Sequence, residues 1–427
     1  MVVRHGVACA GCAAVTDAGT PTGPVTRGSV ARVGAATAAS ALCGYAVLYL
    51  AARDLEPSGF AVFGVFWGAF GLVTGAAFGL LQEATREVRS AGYIEAIEGP
   101  RTHPVRVAAM VGVGAAALIV ASSPLWAAQV FVEARWLSVA LLAVGLAGFC
   151  LHAALLGMLA GLNRWTPYGS LMVTDAGLRV IVAAVTFMVG WGLVGYLWAT
   201  VAGAVAWLIM LAVSPTTRAA ARLLTPGGTA TFLRGAAHSI AAAGASAILV
   251  MGFPVLLKAT TGELGAAGGV VILAVTLTRA PLLVPLTAMQ GNLIAHFVDQ
   301  RTERLRALVA PAGVVTGVGA VGVVGAGLFG PWLLRTGFGP EYLADGALLA
   351  WLTTGAVAIA LLTLTGAAAV AAALHRAYSV GWVSATVAST LLLLLPLDLE
   401  TRTVIALLCG PLVGIAMHLV ALAKSTR

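Results

Sequence analysis

The sequence predicts an all-α polytopic membrane protein of about twelve transmembrane helices in two six-helix bundles. Of its 427 residues, 60% are hydrophobic and 9% are charged, which is too little polar surface to cover a water-soluble globule of this size. A helix needs about 20 apolar residues to cross the hydrocarbon core, and stretches of this length recur along the chain. An outer-membrane barrel would instead show alternating segments of about ten residues.

The apolar segments follow an N-terminal tail. Residues 1–28 are rich in Gly, Ala, Thr and Pro, which predicts a disordered cytoplasmic tail. Twelve apolar segments come next, at residues 29–52, 59–82, 104–132, 136–162, 168–189, 192–213, 232–257, 266–292, 308–330, 346–374, 377–396 and 403–424. We expect an N-terminal six-helix bundle over residues 29–213, a cytoplasmic linker at 214–231 and a C-terminal six-helix bundle over 232–427.

The distribution of Lys and Arg supports this span count. If both termini are cytoplasmic, 17 of the 24 Lys and Arg residues fall on the inner side and 5 on the outer side. The positive-inside rule predicts this asymmetry, and one missed or invented span would remove it, because every later loop would be assigned to the wrong side. The sequence therefore predicts a multi-pass protein of the bacterial inner membrane. The net charge of +8 does not indicate nucleic-acid binding, because the Arg residues are scattered through short loops.

The cysteines and histidines indicate neither a disulfide framework nor a metal site. Cys9 and Cys12 form a CxxC, but no second Cys or His pair at metal spacing accompanies them. The histidines are scattered, without an i, i+4 pair. We therefore expect no metal and no cofactor. The chain also lacks the GxxxxGK[ST] motif, which indicates that it does not hydrolyse ATP itself.

Asp175 and Arg179 are charged residues inside the predicted segment 168–189. They lie four residues apart, so they share one face of a helix. An isolated charge there would cost about 2.5 to 3.5 kcal/mol, so the two should pair and face the bundle interior or a wet cavity. Two interpretations stay open. Asp175 could be a coupling site for a proton or ion while Arg179 meets a phosphate, or the two could form a neutral structural ion pair.

Arg279 lies in segment 266–292 between apolar stretches, with no acidic residue within one helical turn. Arg is suited to bidentate phosphate binding, and Pro281 and Pro285 should loosen the helix and free carbonyl groups. This pattern favours a substrate-binding residue in a central cavity. The alternatives are that the long side chain snorkels to the interface or pairs with Asp175.

Four polar residues at the inner ends of two spans are candidates for a cytoplasmic gate. The second segment ends at Gln82 and Glu83, and the eighth ends with Gln290 and Asn292. Polar residues at helix ends are often only interfacial, so a structural interpretation stays open for all four.

Three short motifs lie in or beside the predicted spans. Residues 52–60, Ala-Arg-Asp-Leu-Glu-Pro-Ser-Gly-Phe, resemble the signature R-x-L-x-P-x-x-F-G, with Gly59 and Phe60 in inverted order. Residues 277–283, Leu-Thr-Arg-Ala-Pro-Leu-Leu, are similar to an R-x-P-L element of the eighth helix. Residues 338–342, Phe-Gly-Pro-Glu-Tyr, are similar to the F-G-x-x-[FY] turn before the tenth helix. In these motifs the chain resembles polysaccharide-export flippases of the multidrug/oligosaccharidyl-lipid/polysaccharide (MOP) superfamily.

The resemblance implies a V-shaped pair of six-helix bundles that alternates between inward-facing and outward-facing states. Members of this family carry polyprenyl-pyrophosphate-linked sugars, whose pyrophosphate meets basic residues in the central cavity. Carried over to this chain, the resemblance implies that Arg279, followed by Arg179, lines that cavity. The partners it implies are the lipid-linked glycan, membrane lipids and glycosyltransferases of the same pathway.

The sequence thus predicts a flippase, not an enzyme, that moves a polyprenyl-(pyro)phosphate-linked sugar to the outer leaflet for cell-envelope polysaccharide synthesis. Its driving force would be an ion gradient or the membrane potential. A drug/cation antiporter of the same fold should place several acids in its core, whereas Asp175 stands alone there. A membrane glycosyltransferase or polymerase usually carries acids on a sizeable outer loop, whereas the acids here lie in short connectors. A scaffold of a glycan-assembly complex is a further alternative.

Overall fold

The computed structural model of the protein describes residues 27–91, 99–289, 293, 296–297, 304–372 and 374–425. The predicted tail lies outside them except for Arg27 and Gly28, as do the CxxC motif and the gate candidates Gln290 and Asn292. The helices are α1 (Arg27–Asp54), α2 (Pro57–Ala91), α3 (Pro104–Val130), α4 (Arg135–Gly161), α5 (Trp165–Val189), α6 (Gly192–Ala202), α7 (Ala206–Val213), α8 (Pro215–Ala221), α9 (Thr229–Val250), α10 (Phe253–Thr261), α11 (Gly265–Ala288), α12 (Arg304–Ala307), α13 (Val309–Phe338), α14 (Gly346–Ala371), α15 (His375–Leu393) and α16 (Leu399–Ser425).

Eleven helical segments of the described residues are long and apolar enough to cross a membrane. They coincide with eleven of the twelve predicted segments. The remaining segment, 377–396, coincides with α15, whose 19 residues span about 28 Å at 1.5 Å per residue. Arg376 and several Ser and Thr residues make α15 less hydrophobic than its neighbours. The prediction of an all-α, multi-pass membrane protein is confirmed.

Two of the predicted continuous spans are interrupted. In the sixth, a 3₁₀ turn at Gly203–Val205 separates α6 from α7. In the seventh, α9 ends at Val250 and α10 begins at Phe253. Pro254 accounts for the second break, because it has no N–H to donate to the carbonyl of Val250 four residues earlier. Both breaks lie beside charged residues described below.

The helices pack mainly with neighbours in the same half of the chain. In the first half, α1 packs on α5, while α2 and α3 pack on α4; in the second, α13 packs on α14, and α16 packs on both α14 and α15. Helix α2 also contacts α9 and α11, so it joins the two halves. Gly79 permits this approach, because a Cβ there would lie 2.5 Å from Cα of Ile240 in α9.

The two ends of the helical bundle differ in charge. We call the basic end the one that holds Arg86, Arg89, Arg101, Arg164 and Arg222, and the sparse end the one that holds Arg53, Arg135, Lys258, Arg335 and Arg402. At the basic end, strand β1 (Arg101–Thr102) pairs antiparallel with β2 (Thr225–Pro226). The connection after α2 is thereby tied to the connection before α9. The predicted linker at 214–231 thus contains α8 and β2.

Candidate functional site

Arg279 is buried in α11 beside the break between α9 and α10. The residue is 7% exposed. Its Nη1 donates to the carbonyl oxygens of Val250 at 3.1 Å and Leu249 at 3.4 Å, and its Cζ lies 5.0 Å from the ring centroid of Phe253. The carbonyls at the end of α9 lack the donors of a continuous helix, and a cation is favourable at a helix C-terminus. The Pro254 break therefore creates the local partners of Arg279.

Two further donors of Arg279 remain unused. Nε and Nη2 are buried and have no hydrogen-bond partner among the described residues. No ion pair joins Arg279 to an acid in the described part of the chain, and Asp175 is engaged by Arg179 instead. A buried donor without an acceptor costs about 1 to 3 kcal/mol. An acceptor that reached these two nitrogens would be stabilised accordingly.

Asp175 and Arg179 form an ion pair inside the first half. Arg179 Nη2 lies 3.0 Å from Asp175 Oδ1, with side chains 15% and 16% exposed. The guanidinium also lies over Phe70 of α2, with Cζ 5.4 Å from the ring centroid. Gly203 in the 3₁₀ turn makes room for the pair, since a Cβ there would lie 2.6 Å from Arg179 Nε and Asp175 Cγ. The interruption of the sixth span thus accommodates the two charges.

His152 of α4 is buried near this pair, which the sequence pattern did not indicate. The residue is 2% exposed, and its ring stacks on Phe149 at a centroid distance of 5.2 Å. Its Nδ1 has no partner among the described residues, and both Asp175 and Arg179 interact with it electrostatically. The signal is tertiary, because His152 lies on a different helix from the ion pair.

Of the gate candidates, Glu83 lies at the junction of the two halves near the basic end. It is 2% exposed and accepts from Arg86 Nη2 at 2.5 Å and Arg86 Nε at 3.1 Å. Its carboxylate lies against Gly235 of α9, where a Cβ would lie 2.5 Å from Glu83 Cδ. Gln82 is exposed. The gate role of Gln82, Glu83, Gln290 and Asn292 stays a prediction.

The first and third sequence motifs meet at the sparse end. The Tyr342 hydroxyl donates to the Leu55 carbonyl at 3.1 Å, and its ring lies edge-on to Phe60 at 6.0 Å. Phe338 packs edge-on to Tyr49 at 5.7 Å. Burial raises the pKa of Tyr342, and the nearby Glu341 adds to the shift, so its hydroxyl is a neutral donor at physiological pH. This contact closes the two halves against each other.

Helices α1 and α11 are buried toward the sparse end and less buried toward the basic end. In α1, Val47 and Ala51 are 0% exposed, whereas Leu42 is 70% exposed and no atom lies within 4 Å of a Cβ built on Gly34. In α11, the continuous run of buried residues is 268–275, and most residues after it are partly exposed. The packing of both helices therefore loosens toward the basic end.

Two surface cavities lie away from these charged groups. One of about 290 Å³ is lined mainly by apolar side chains of α2, α3, α4 and α10, among them Trp126. The other, of about 510 Å³, is lined at the sparse end by residues of α13, among them Trp332 and Arg335, and by Pro340. In the described ranges, no group of three or more His, Cys, Asp or Glu side chains could hold a metal ion.

Relatives of known sequence cover almost the whole chain. "Uncharacterized protein Rv3630" of Mycobacterium tuberculosis (strain ATCC 25618 / H37Rv) is 74% identical over 426 residues, which is 97% of this chain and 99% of that protein. "Uncharacterized protein Rv1510" of the same strain is 72% identical over 413 residues, 96% of each. The chain belongs to this Rv3630/Rv1510 family. No protein-family model matches the sequence.

Solved structures show the fold that the Rv3630/Rv1510 family member adopts. An inward-facing multidrug resistance MATE family transporter of the MOP superfamily matches with a TM-score of 0.70 and 18% identity, over 90% of this chain and 95% of that one. An outward-facing MATE transporter matches at 0.60 and 16%, over 93% and 96%. A MOP superfamily transporter from Pyrococcus furiosus Vc1 (DSM3638), for which "reverse polarity of binding pocket suggests different function", matches at 0.58 and 15%, over 96% and 97%.

These likenesses confirm the fold of the MOP superfamily, whose MATE members have twelve helices in two lobes. The proteins in these solved structures are transporters and not enzymes. At these identities the likeness shows the fold alone. The polysaccharide-export subfamily, inferred from the three motifs, stays a prediction.

Proposed function

We propose that this protein moves a polyprenyl-(pyro)phosphate-linked sugar or oligosaccharide from the cytoplasmic to the outer leaflet by alternating access, for cell-envelope polysaccharide synthesis. The observation that carries the proposal is the state of Arg279. It is a buried cation with two unused donors, Nε and Nη2, and without an acidic partner in the described residues. A phosphate oxygen is the kind of acceptor that a guanidinium binds best.

The pairing of the buried acids with arginines supports an anionic substrate. Asp175 is neutralised by Arg179, and Glu83 by Arg86. Of the two buried cations without an acidic partner among the described residues, Lys258 donates to the Gly262 carbonyl at the sparse end, whereas Arg279 keeps two unused donors, so the interior around Arg279 favours a negative group over a positive one. The Pyrococcus transporter described by reversed pocket polarity gives a precedent for such variation within the fold.

Alternating access would use the two halves as rigid bundles, over residues 29–213 and 232–427 with the linker 214–231 between them. The loosened packing of α1 and α11 toward the basic end, with the Tyr342–Leu55 contact at the sparse end, supports an inward-facing state. The positive-inside rule supports a cytoplasmic basic end and cytoplasmic termini in the bacterial inner membrane. The proposed partners are membrane lipids and glycosyltransferases of the same pathway.

A second candidate is an ion-coupled drug/cation antiporter. The observation that favours it is the likeness to multidrug resistance MATE transporters. In that case Asp175 would be the coupling residue, and the interior would select a cation. Glycosyl transfer is less favoured, because the similar solved structures are transporters.

The test is reconstitution of the purified protein in liposomes. The probe is a polyprenyl-diphosphate-linked disaccharide with a fluorophore on the sugar, and membrane-impermeant dithionite reports which leaflet holds it. We expect the protein to speed transbilayer movement of this probe above that of protein-free liposomes. Movement no faster than in protein-free liposomes, together with efflux of a cationic dye such as ethidium, would establish the antiporter instead.

Variants then test the assigned residue. Losing a charge-assisted hydrogen bond costs about 1.5 to 3 kcal/mol, so Arg279→Gln should slow movement of the probe about 10-fold or more. Arg279→Lys keeps the charge and should retain part of the activity. Arg335→Gln is the matched control, because Arg335 is exposed at the sparse end. Each variant is first compared with the wild type by thermal unfolding, since Arg279 also caps α9. A folded Arg279→Gln variant with wild-type movement would contradict the assignment.

A further inference from the structure

His418 is a buried histidine in the second half of the chain, separate from Arg279 and from the Asp175–Arg179 pair. It lies in α16, is 0% exposed, and sits where α14, α15 and α16 pack together. Its ring stacks on Tyr378 of α15, with centroids 6.2 Å apart and 6° between the planes. An imidazole in such an interface is costly unless its ring nitrogens find partners.

Both ring nitrogens of His418 face oxygen atoms. Nδ1 lies 3.1 Å from Oγ1 of Thr365 in α14, and Nε2 lies 3.2 Å from the carbonyl oxygen of Tyr378. A carbonyl only accepts, so Nε2 carries a hydrogen in this arrangement. The Thr365 hydroxyl also lies 3.0 Å from the carbonyl oxygen of Leu362. Its hydrogen therefore has two acceptors available, Nδ1 and the Leu362 carbonyl.

This arrangement satisfies two protonation states of the ring. In the neutral ring, the Thr365 hydroxyl donates to the bare Nδ1. When a proton from water binds Nδ1, the new N–H donates to Thr365 Oγ1, and the hydroxyl hydrogen turns to the Leu362 carbonyl. Each donor keeps an acceptor in both states. Proton uptake at Nδ1 thus requires only the rotation of one hydroxyl group.

Glycines on all three helices make room for this cluster. A Cβ on Gly381 of α15 would overlap Nε2 of His418 and lie 2.9 Å from its Cε1. A Cβ on Gly414 of α16 would lie 2.9 Å from Cβ of Ala385, and one on Gly366 of α14 would lie 3.1 Å from Cε2 of Tyr378. The close packing of α14, α15 and α16 around the imidazole therefore depends on these glycines.

Among the described residues, few other titratable groups lie near His418. Tyr378 faces the ring from α15, and its hydroxyl interacts with Ser246 of α9; α14 contains no charged residue. The described titratable groups at and before the basic end of these helices are exposed and basic: His296, Arg306, His375, Arg376 and Lys424. A pH response of this cluster would therefore come from His418 itself.

The site lies near the basic end. Tyr378 is the fourth residue of α15, and His418 is seven residues from Ser425, the last residue of α16. Seven residues of helix span about 10 Å. Water at the basic end is thus within a short distance of the ring.

We propose that His418 is a proton-binding site in the second half of the transporter, which takes up a proton at Nδ1 from the basic end and thereby couples transport to a proton gradient. The coupling rests on the proposed transport function, whereas the binding of the proton does not. In the charged state, the ring places one positive charge between α14, α15 and α16, and the bonds to Thr365 and Tyr378 disperse it.

The binding step is tested by nuclear magnetic resonance of the ¹⁵N-histidine-labelled full chain in lipid nanodiscs. The ring signals of His418 are those absent from a His418→Gln spectrum. We expect them to shift as the pH is lowered, because Nδ1 then takes up a proton. Thr365→Val removes a hydrogen bond from both states of the ring, but the bond to the charged ring is the stronger of the two, so the midpoint should fall by up to about one pH unit. Ring signals that stay constant from pH 4.5 to 9 would overturn the proposal.

The coupling step is tested in the liposome assay with an imposed pH gradient. We expect the gradient to accelerate transbilayer movement of the lipid-linked probe by the wild type. His418→Gln should abolish that acceleration, while movement without a gradient persists. His238→Gln is the matched control, because His238 is exposed in α9. Equal acceleration in His418→Gln would overturn the coupling. A titrating His418 in a protein that moves no lipid probe would leave the proton site standing and refute the proposed function instead.

Discussion

The hydroxyl of Tyr342 donates to the carbonyl oxygen of Leu55 at 3.1 Å and so joins the turn before α14 to the turn between α1 and α2. A second tyrosine, Tyr196 of α6, donates to the Leu50 carbonyl at the same distance. The Tyr342 bond crosses between the halves of the chain, whereas the Tyr196 bond stays within the first half. Of the two bonds, only the one from Tyr342 therefore holds the two halves of the chain together.

Removal of the Tyr342 hydroxyl should favour opening at the sparse end. A buried hydrogen bond contributes about 0.5 to 1.5 kcal/mol, so Tyr342→Phe should raise the population of open molecules about 2-fold to 10-fold. Spin labels at Ser58 and Glu341, which are exposed on opposite halves, would report this as longer distances. Tyr196→Phe is the control and should leave the distribution unchanged. Equal distance distributions in all three proteins would refute the claim that the Tyr342 bond holds the two halves together at the sparse end.

Substitution of Gly203 should destabilise the first half. A Cβ at this position would lie 2.6 Å from Arg179 Nε, and overpacking of this kind costs about 1 to 3 kcal/mol. We expect Gly203→Ala to lower the midpoint of thermal unfolding in detergent. Gly177→Ala in α5 is the control, because no atom lies within 4 Å of its Cβ, and Ala there should stabilise the helix by up to about 1 kcal/mol. A Gly203→Ala protein as stable as the wild type would contradict the close packing.

Separation of Glu83 from Arg86 should be worse than removal of both charges. Arg86→Gln leaves a buried carboxylate unpaired, which costs about 3 to 5 kcal/mol when the charge is fully buried, and less here because Arg86 is largely exposed. The double variant Glu83→Gln with Arg86→Gln should recover much of this loss. Thermal unfolding of the single and double variants measures the difference. Additive losses would show that the pair is not coupled.

The start of α16 should weaken in acid. Asp398 accepts from the backbone N–H of Thr401 at 2.9 Å, and this bond lowers the pKa of Asp398 below its ordinary value of 3.8. Because the folded pKa is lowered, the stabilisation is present above about pH 4 and is lost as the pH falls through the folded value. Hydrogen exchange of the first turn of α16 should therefore rise in acid in the wild type. Asp398→Asn keeps the cap and should show no such rise; a rise in both proteins would refute the assignment.

Hydrophobic patterning predicted the helices well because span length is dictated by membrane thickness. It did not predict the breaks in the sixth and seventh spans. Gly203 and Pro254 are visible in the sequence, but TM helices often contain Gly and Pro without breaking. Whether a helix breaks depends on whether a neighbour satisfies the freed carbonyls. Arg279, 29 residues after Val250, provides that partner only in the folded chain.

The grouping of candidate residues on one helix was predicted, whereas groupings across helices were not. Asp175 and Arg179 were paired from their spacing, because i, i+4 neighbours meet on any helix. The approach of His152 to this pair depends on how α4 packs on α5. The cluster of His418, Thr365 and Tyr378 was missed for the same reason, because its members lie on three helices.

The most direct test of the central claim is equilibrium binding of two lipids that differ only in charge. Polyprenyl phosphate and uncharged polyprenol of the same length are compared on the wild type and on a folded Arg279→Gln variant in detergent. If Arg279 binds the phosphate, the wild type prefers polyprenyl phosphate by about 10-fold or more, and the variant loses this preference while its polyprenol affinity stays the same. Equal affinities of the wild type for the two lipids would contradict the account.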